Sequence, residues 1–479
     1  MASPQESVGR VAGLARKGNC PPLLSVLTLL SVLLLAGCDS GGGGATPAET
    51  SAGEGGMQSG GEIADSGVVP PSPSGKLNDT GITFCSDYAI DHSDNYNRDV
   101  ACSLLSDADG DPVPPANRID GAGKPTGQDG HVGRDVTHPD NSDGHAGFSF
   151  TKIGTNGRTL AIQDQLWSDW GSESMGLKWS CVKDNVTGLI WEVKQSTPDG
   201  RDAVDAHPYP LHDPDDTYTW NNAGAYVKQV NTKGWCGAND WRLPTINELE
   251  SITDLGRSYP SLDMAYFPNT AFPSTAVSSS SPHWSATPSG ATKAWKLYAS
   301  FGVRMTDERS GSAYVRLVRS GHQVAAPQCI PDSDFTVHDD GTVTHKPTGL
   351  MWKRCLEGQP FSDNGTFDYQ DDSCTGTVGA FNWSTALANS GSNFAGYADW
   401  RLPNIKELSS IVEFCREKPA INTSIFPGLS QQQVWSSSPD IRLQTSEGMS
   451  WVADFDNGKN SPMFSAKRIG VRLVRSTAP

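Results

Sequence analysis

The chain has 479 residues, with 37 Lys and Arg against 54 Asp and Glu and a formal net charge of −17. Such an acidic balance repels DNA, RNA and sulfated polysaccharides at long range, so no nucleic-acid partner is expected. A mean hydropathy of −0.43, 50 Gly and 32 Pro describe a turn-rich soluble body, long enough for two or three domains.

Residues 1–37 read as a secretion signal. Arg10, Arg16 and Lys17 form a basic start, 21–35 is an uncharged apolar run, and Leu35-Ala36-Gly37-Cys38 closes it. The run is short for a membrane span, which takes about 20 residues. The tetrapeptide resembles the lipobox of bacterial lipoproteins. The resemblance implies cleavage before Cys38, a lipid on its thiol, and a membrane partner through that anchor at the cell envelope. An ordinary signal with a coincidental cysteine is the other reading. Asp39 resembles an inner-membrane retention signal in enteric-type sorting, a rule that weakens elsewhere, so inner or outer membrane stays open. The leader's net charge is +2 (Arg10, Arg16 and Lys17 against Glu6), which leaves about −19 on the remainder. Residues 38–76 are Gly, Ser, Pro and Ala with almost no large apolar side chains, the composition of a disordered tether.

Residues 81–180 read as an irregular Asp/Gly-rich segment packing on the domain that follows. Asp107-Ala108-Asp109-Gly110-Asp111 looks like the start of a calcium loop, but its twelfth position is Arg118 where a bidentate Glu belongs. An acidic solvated turn is the preferred reading, and calcium is the only cofactor the sequence raises. His131, His138 and His145 recur every seven residues, but in a stretch poor in helix signals. Of ten cysteines, Cys20 leaves with the leader and Cys38 takes lipid. The remaining eight contain no C-x-x-C, which argues against thiolate metal sites, and an even count in an exported protein favours disulfides. Proximity and domain limits suggest Cys85–Cys102, Cys181–Cys236, Cys355–Cys374 and Cys329–Cys415.

The second half is a duplication over 182–321 and 335–476. Thr187-Gly188-Leu189-Ile190-Trp191 matches Thr348-Gly349-Leu350-Met351-Trp352. Asp240-Trp241-Arg242-Leu243-Pro244-Thr245 matches Asp399-Trp400-Arg401-Leu402-Pro403-Asn404. Phe267-Pro268 matches Phe426-Pro427, Trp284-Ser285 matches Trp435-Ser436, and the closing Val-Arg-Leu-Val-Arg-Ser blocks end with Arg319-Ser320 and Arg475-Ser476. Thr245 with Glu248, and Asn404 with Glu407, predict capping boxes. Apolar residues at Ile246, Leu249 and Ile252, and at Ile405, Leu408, Ile411 and Val412, predict the helices behind them. An earlier, shorter helix is expected near Trp220 and near Trp383, and strands around Trp295, around Trp451 and in the closing blocks. Each copy therefore reads as α+β, stapled by disulfides.

These blocks resemble the Lcl C-terminal domain family. The resemblance implies a C-type-lectin-like fold, more distantly related to formylglycine-generating enzymes, and a namesake adhesin that binds sulfated glycans; the acidity of this chain argues against that ligand. The motif residues are expected to be structural, with Trp241, Arg242, Trp400 and Arg401 in the core and each Arg ion-paired to a nearby Glu. Trp284, Trp435, Trp295 and Trp451 either stack on sugar rings, if exposed, or fill the core. Long polar loops at 274–289 and 358–377 would carry specificity.

The functional expectation is a lipid-anchored envelope binding protein, adhesin-like, that recognises a glycan or a surface protein without catalysis. A structural scaffold that pairs with other subunits is the alternative. An enzyme of the formylglycine-generating kind is a third, for which 310–319 and 466–475 lack the needed cysteines and no Ser/His/Asp order, paired-carboxylate motif or phosphate loop stands out.

Overall fold

The computed structural model describes residues 77–85, 100–101, 127–131, 134–138, 140–194, 218–270, 281–320, 329–365, 368–389, 392–428, 433–440 and 448–477. The leader, Cys38, Asp39, the tether, the Asp107–Asp111 turn and Cys102 lie outside them. Among the described residues no helix is long and apolar enough to cross a membrane.

Each copy is built around two main antiparallel sheets and two helices, and the first also carries a short antiparallel pair, Tyr218–Thr219 with Ser312–Ala313. In the first copy, β1 (Phe150–Ile153), β2 (Cys181–Asp184) and β3 (Ile190–Glu192) form a meander that the closing strand β7 (Val318–Arg319) completes beside β3. Helices α1 (Ala223–Lys233) and α2 (Ile246–Ser251) follow β3, and a second sheet is β4 (Pro282–Ser289), β5 (Lys293–Tyr298) and β6 (Val303–Glu308). The second copy repeats this with β8 (Phe335–Val337), β9 (Thr342–His345), β10 (Leu350–Lys353) and β16 (Val474–Ser476). Its added hairpin is β11 (Phe361–Ser362) with β12 (Ser373–Cys374). Helices α3 (Trp383–Leu387) and α4 (Ile405–Ser409) precede the sheet β13 (Gln433–Pro439), β14 (Met449–Asp454), β15 (Lys459–Phe464).

Three expectations change. Strand β1 supplies an edge to the first copy's sheet, so that copy begins inside the segment read as irregular. Helix α1 is longer than α2, because Tyr226 and Val230 anchor one buried face over three turns. Residues 282–289 are strand rather than loop: the stretch is rich in Ser and Pro, but its buried Ser285 donates to the Trp295 carbonyl at 2.8 Å and satisfies itself in the core. In the second copy, 358–377 is partly the β11–β12 hairpin.

The two copies meet about a pseudo-two-fold relation. Glu250 and Arg304 of the first align with Ser409 and Asn460 of the second, at the repeat offsets of 159 and 156. Across the contact these partners exchange: Arg304 Nη1 donates to Ser409 Oγ at 2.7 Å, and Asn460 Nδ2 donates to Glu250 Oε1 at 2.8 Å. Arg304 also donates to both Glu250 oxygens at 2.7 and 2.5 Å and, through Nε, to the Gly458 carbonyl at 2.7 Å. The apolar layer exchanges likewise. Phe414 lies edge-on to Trp295, while its counterpart Leu255 joins the buried cluster that holds Trp451.

The segment at 77–82 runs between both copies. Asn78 donates to Asp184 at 2.5 Å, the Thr80 carbonyl accepts from Leu255 N–H at 2.6 Å, and Lys406 Nζ donates to the Asp79 carbonyl at 2.5 Å. Ile82 is buried in the second copy's core. Gly81 holds φ +84°, and a Cβ there would meet Asp254 Oδ1 at 2.0 Å, so only glycine allows this approach.

Candidate functional site

The repeated motif is consumed in building each copy. Arg242 donates to Glu248 at 2.8 and 2.6 Å, and Arg401 donates to Glu407 at 2.7 and 2.6 Å. The same carboxylates accept the N–H of Thr245 (2.7 Å) and Asn404 (2.9 Å), closing both capping boxes. One Glu thus fixes a helix start and the preceding turn together. The carbonyls of Pro244 and Pro403 accept from Ala286 and Ser437, seating that turn on β4 and β13. Arg319 and Arg475 donate to Asp240 and Asp399, each at 2.7 Å, tying the closing block to the central one.

The motif tryptophans Trp191, Trp352, Trp241, Trp400, Trp284 and Trp435 are all at most 2 % exposed. The indole N–H groups of Trp284 and Trp435 donate to the Tyr218 and Phe381 carbonyls. Trp295 and Trp451 are buried as well. Of the two fates open to these four, the structure places them in the core: each belongs to a buried hydrophobic cluster and none is exposed to stack on a sugar.

The copies diverge beside the motif tryptophan of the first sheet. In the first copy, Glu192 is fully buried and accepts from Lys194 Nζ (2.8 Å), from the Tyr226 hydroxyl and from Leu317 N–H (2.9 Å). The matching residue after Trp352 is Lys353, a reversal of charge. Its Nζ donates to Glu357 Oε1 at 2.9 Å and to Ser392 Oγ at 3.3 Å, and lies 4.7 Å from the Phe394 ring centroid.

Phe394 matches Trp235. Their carbonyls accept the indole N–H of Trp400 (3.0 Å) and Trp241 (2.8 Å), and the next residues, Ala395 and Cys236, share φ values of 52° and 50°. Cys236 is bonded to Cys181, which pins the buried Trp235. Ala395 offers no such bond, and Phe394 stays half-exposed. A cavity of about 300 Å³ opens there, lined among others by Lys353, Leu356, Glu357, Gln359, Phe361 and Phe394. Gln359 Oε1 is buried without a hydrogen-bond partner. None of these residues was singled out by motif reasoning, although the 358–377 loop forms part of the rim. The signal was the Glu192-to-Lys353 reversal between otherwise matching blocks.

The Lcl C-terminal domain family matches residues 180–319 and 341–475, more than half of the chain. The chain belongs to that family, in two copies. No curated protein matches it.

In the Lcl C-terminal domains Cys181–Cys236 and Cys355–Cys374 are bonded, and Cys329, ahead of the second domain, is bonded to Cys415 inside it. Cys85 is disulfide-bonded too, and Cys102, the partner expected for it, lies outside the described residues. The three spaced histidines go separate ways: His131 lies beside Cys85 at 3.3 Å, His138 touches Thr137, and His145 Nδ1 contacts Asp254 at 2.9 Å. Among the described residues the one cluster of metal-ligand type is Cys329, Glu413 and Cys415, and its two sulfurs are bonded to each other.

Beneath the second domain's capping box, Asp129 Oδ2 accepts from Thr80 Oγ1 (2.7 Å) and Ser438 Oγ (2.6 Å), while Oδ1 is buried unpaired. Burial, then the nearby Asp79 charge, pushes its carboxyl up to about 8.

Outside the matched residues, Leu166 is 69 % and Trp170 98 % exposed.

Proposed function

We propose that the chain is a lipid-anchored binding protein of the bacterial cell envelope, adhesin-like, that recognises a glycan or an envelope protein without catalysis. The observation that carries this reading is the contrast inside the duplication: one domain closes the position beside its motif tryptophan with Glu192, Lys194, Tyr226 and a disulfide, and the other leaves a cavity there, lined by Lys353, Glu357, Phe361 and Phe394 among others. We read the fold as C-type-lectin-like, a relation supported by paired antiparallel sheets, two helices and disulfides in each domain. A thiol-dependent oxidation like that of formylglycine-generating enzymes finds no support, since every described cysteine is disulfide-bonded. Exposed Leu166 and Trp170 favour a second reading, a scaffold that pairs with another envelope subunit.

Two experiments test the proposal. Labelled fatty acid should be incorporated into the wild-type chain and lost in Cys38→Ser, with release of the chain from membranes. Immobilised glycans should bind the intact chain saturably; a stable hetero-oligomer with no glycan bound would instead favour the scaffold.

A further inference from the structure

We propose that the Cys329–Cys415 bond is a thiol-exchangeable switch: a dithiol reductant opens it with the Glu413 carboxyl as proton donor, and its opening loosens the contact between the two domains.

Three side chains meet at this point. A Glu413 carboxylate oxygen and the sulfurs of Cys329 and Cys415 all lie within 4.8 Å of one another, and among the described residues no other bonded pair of cysteines has a carboxylate so placed. Access also sets this bond apart. Cys329 and Cys415 each keep part of their surface, whereas Cys181 and Cys236 are buried, and so is Cys355. Thiol exchange needs an approach to sulfur and favours a leaving sulfur whose charge is relieved as the bond breaks.

The carboxyl is carried on a closed turn. Glu413 N–H donates to the Ala420 carbonyl at 2.9 Å, and Arg416 N–H donates to the Glu413 carbonyl at 3.4 Å. Burial pushes the Glu413 carboxyl above its ordinary 4.5; the Arg416 guanidinium and the Ile330 N–H act against that rise, and the Asp332 charge adds to it. Arg416 Nε contacts Glu413 Oε2, and the Arg416 side chain is 41 % exposed, so the buried carboxyl sits one side chain away from water.

The exchange balances with the reductant's two thiols. A thiolate of the dithiol bonds to one sulfur of the pair, the Cys329–Cys415 bond breaks, and its electron pair passes to the other sulfur, which takes the proton of Glu413. The second thiol of the reductant then displaces the mixed disulfide, releasing the remaining cysteine as a thiol and the reductant as its own disulfide. Water reprotonates Glu413. In the reverse direction the Glu413 carboxylate accepts the proton of the attacking cysteine thiol.

The same turn meets the first domain. Phe414, between Glu413 and Cys415, lies edge-on to Trp295 with ring centroids 5.0 Å apart, and the Arg304 guanidinium stands 5.3 Å from its ring. On the other side of the bond, Ile330 follows Cys329 and packs against the second domain's core. Opening the bond therefore releases the Phe414 turn from the chain that enters the second domain.

The test uses the intact chain. Brief exposure to dithiothreitol, quenching with N-ethylmaleimide and peptide mass spectrometry should find Cys329 and Cys415 labelled about tenfold or more faster than Cys181 and Cys236. Glutathione disulfide run alongside accounts for ionisation of the reductant; relative to it, the rate should fall as pH rises through the Glu413 titration. Glu413→Gln should be about tenfold slower and lack that fall, a change a merely structural carboxylate would not produce. Arg416→Gln keeps the carboxyl and removes its nearby cation, so the fall should move to higher pH. Cys329→Ser with Cys415→Ser should alter tryptophan emission and separate the urea curves of the two domains. Labelling of all cysteines together would overturn the exchangeable bond, and an unchanged pH profile in Glu413→Gln would overturn the proton donor. Coincident urea curves in the double serine variant would overturn the link to the domain contact.

Discussion

Replacing Arg304 by Met tests how the two domains are joined. The guanidinium is fully buried, grips both oxygens of Glu250, and reaches Ser409 and Gly458 of the second domain. Met fills a similar volume, so the loss is electrostatic: the Glu250 carboxylate stays buried, with Asn460 as its remaining donor among the bonds across the contact. Removing one partner of a buried pair costs about 3–5 kcal/mol, because the survivor keeps its desolvation penalty. The double variant Arg304→Met with Glu250→Gln removes that orphaned charge and should recover most of the loss. Urea unfolding followed by tryptophan fluorescence and by far-UV circular dichroism measures both, and non-coincident curves would report that the domains had uncoupled. A single variant within about 1 kcal/mol of wild type, or a double variant as destabilised as the sum of its parts, would refute the reasoning.

Three further outcomes follow from other parts of the fold. Thr245→Ala and Asn404→Ala should each cost about 1 kcal/mol in chemical denaturation, as lost caps do, whereas Glu248→Ala should cost more because Arg242 loses its bidentate partner as well. Asp129 has its folded pKa raised from 3.8 to about 8, so the folded state holds a proton that the unfolded state has released; stability therefore falls as pH rises between those values, and Asp129→Asn should flatten that fall in melts run from pH 5 to 8. Deleting Cys329–Cys415, which spans 86 residues, should destabilise more than deleting Cys355–Cys374, which spans 19, by chain-entropy losses of about 4–5 against about 3 kcal/mol; equal melting shifts would count against that ordering.

What the sequence made legible was local or repeated. Capping boxes depend on residues three apart, so Thr245–Glu248 and Asn404–Glu407 could be read directly. The Asp240–Arg319 and Asp399–Arg475 pairs could have been found too, since both partners lie in repeated blocks, but charge pairing across 79 and 76 residues has no periodic signal. Strand β4 was read as loop because its serines satisfy their hydroxyls inside the sheet, where composition alone says turn. The role of 77–82 as a connection between domains was invisible, because its contacts reach residues far away in the sequence: Asn78 to Asp184, Thr80 to Leu255 and Asp79 to Lys406. The cavity needed the folded chain: Lys353 and Phe394 are 41 residues apart, and only superposing one domain's pattern on the other shows that a closed position has opened.

The most direct test of the central claim is a glycan array probed with the intact chain, once with calcium and once with chelator. The account predicts saturable binding to neutral sugars, and none to sulfated ones, in both conditions. Absence of binding to every glycan would contradict glycan recognition and leave an envelope protein as the ligand, and binding confined to sulfated chains would contradict the charge argument.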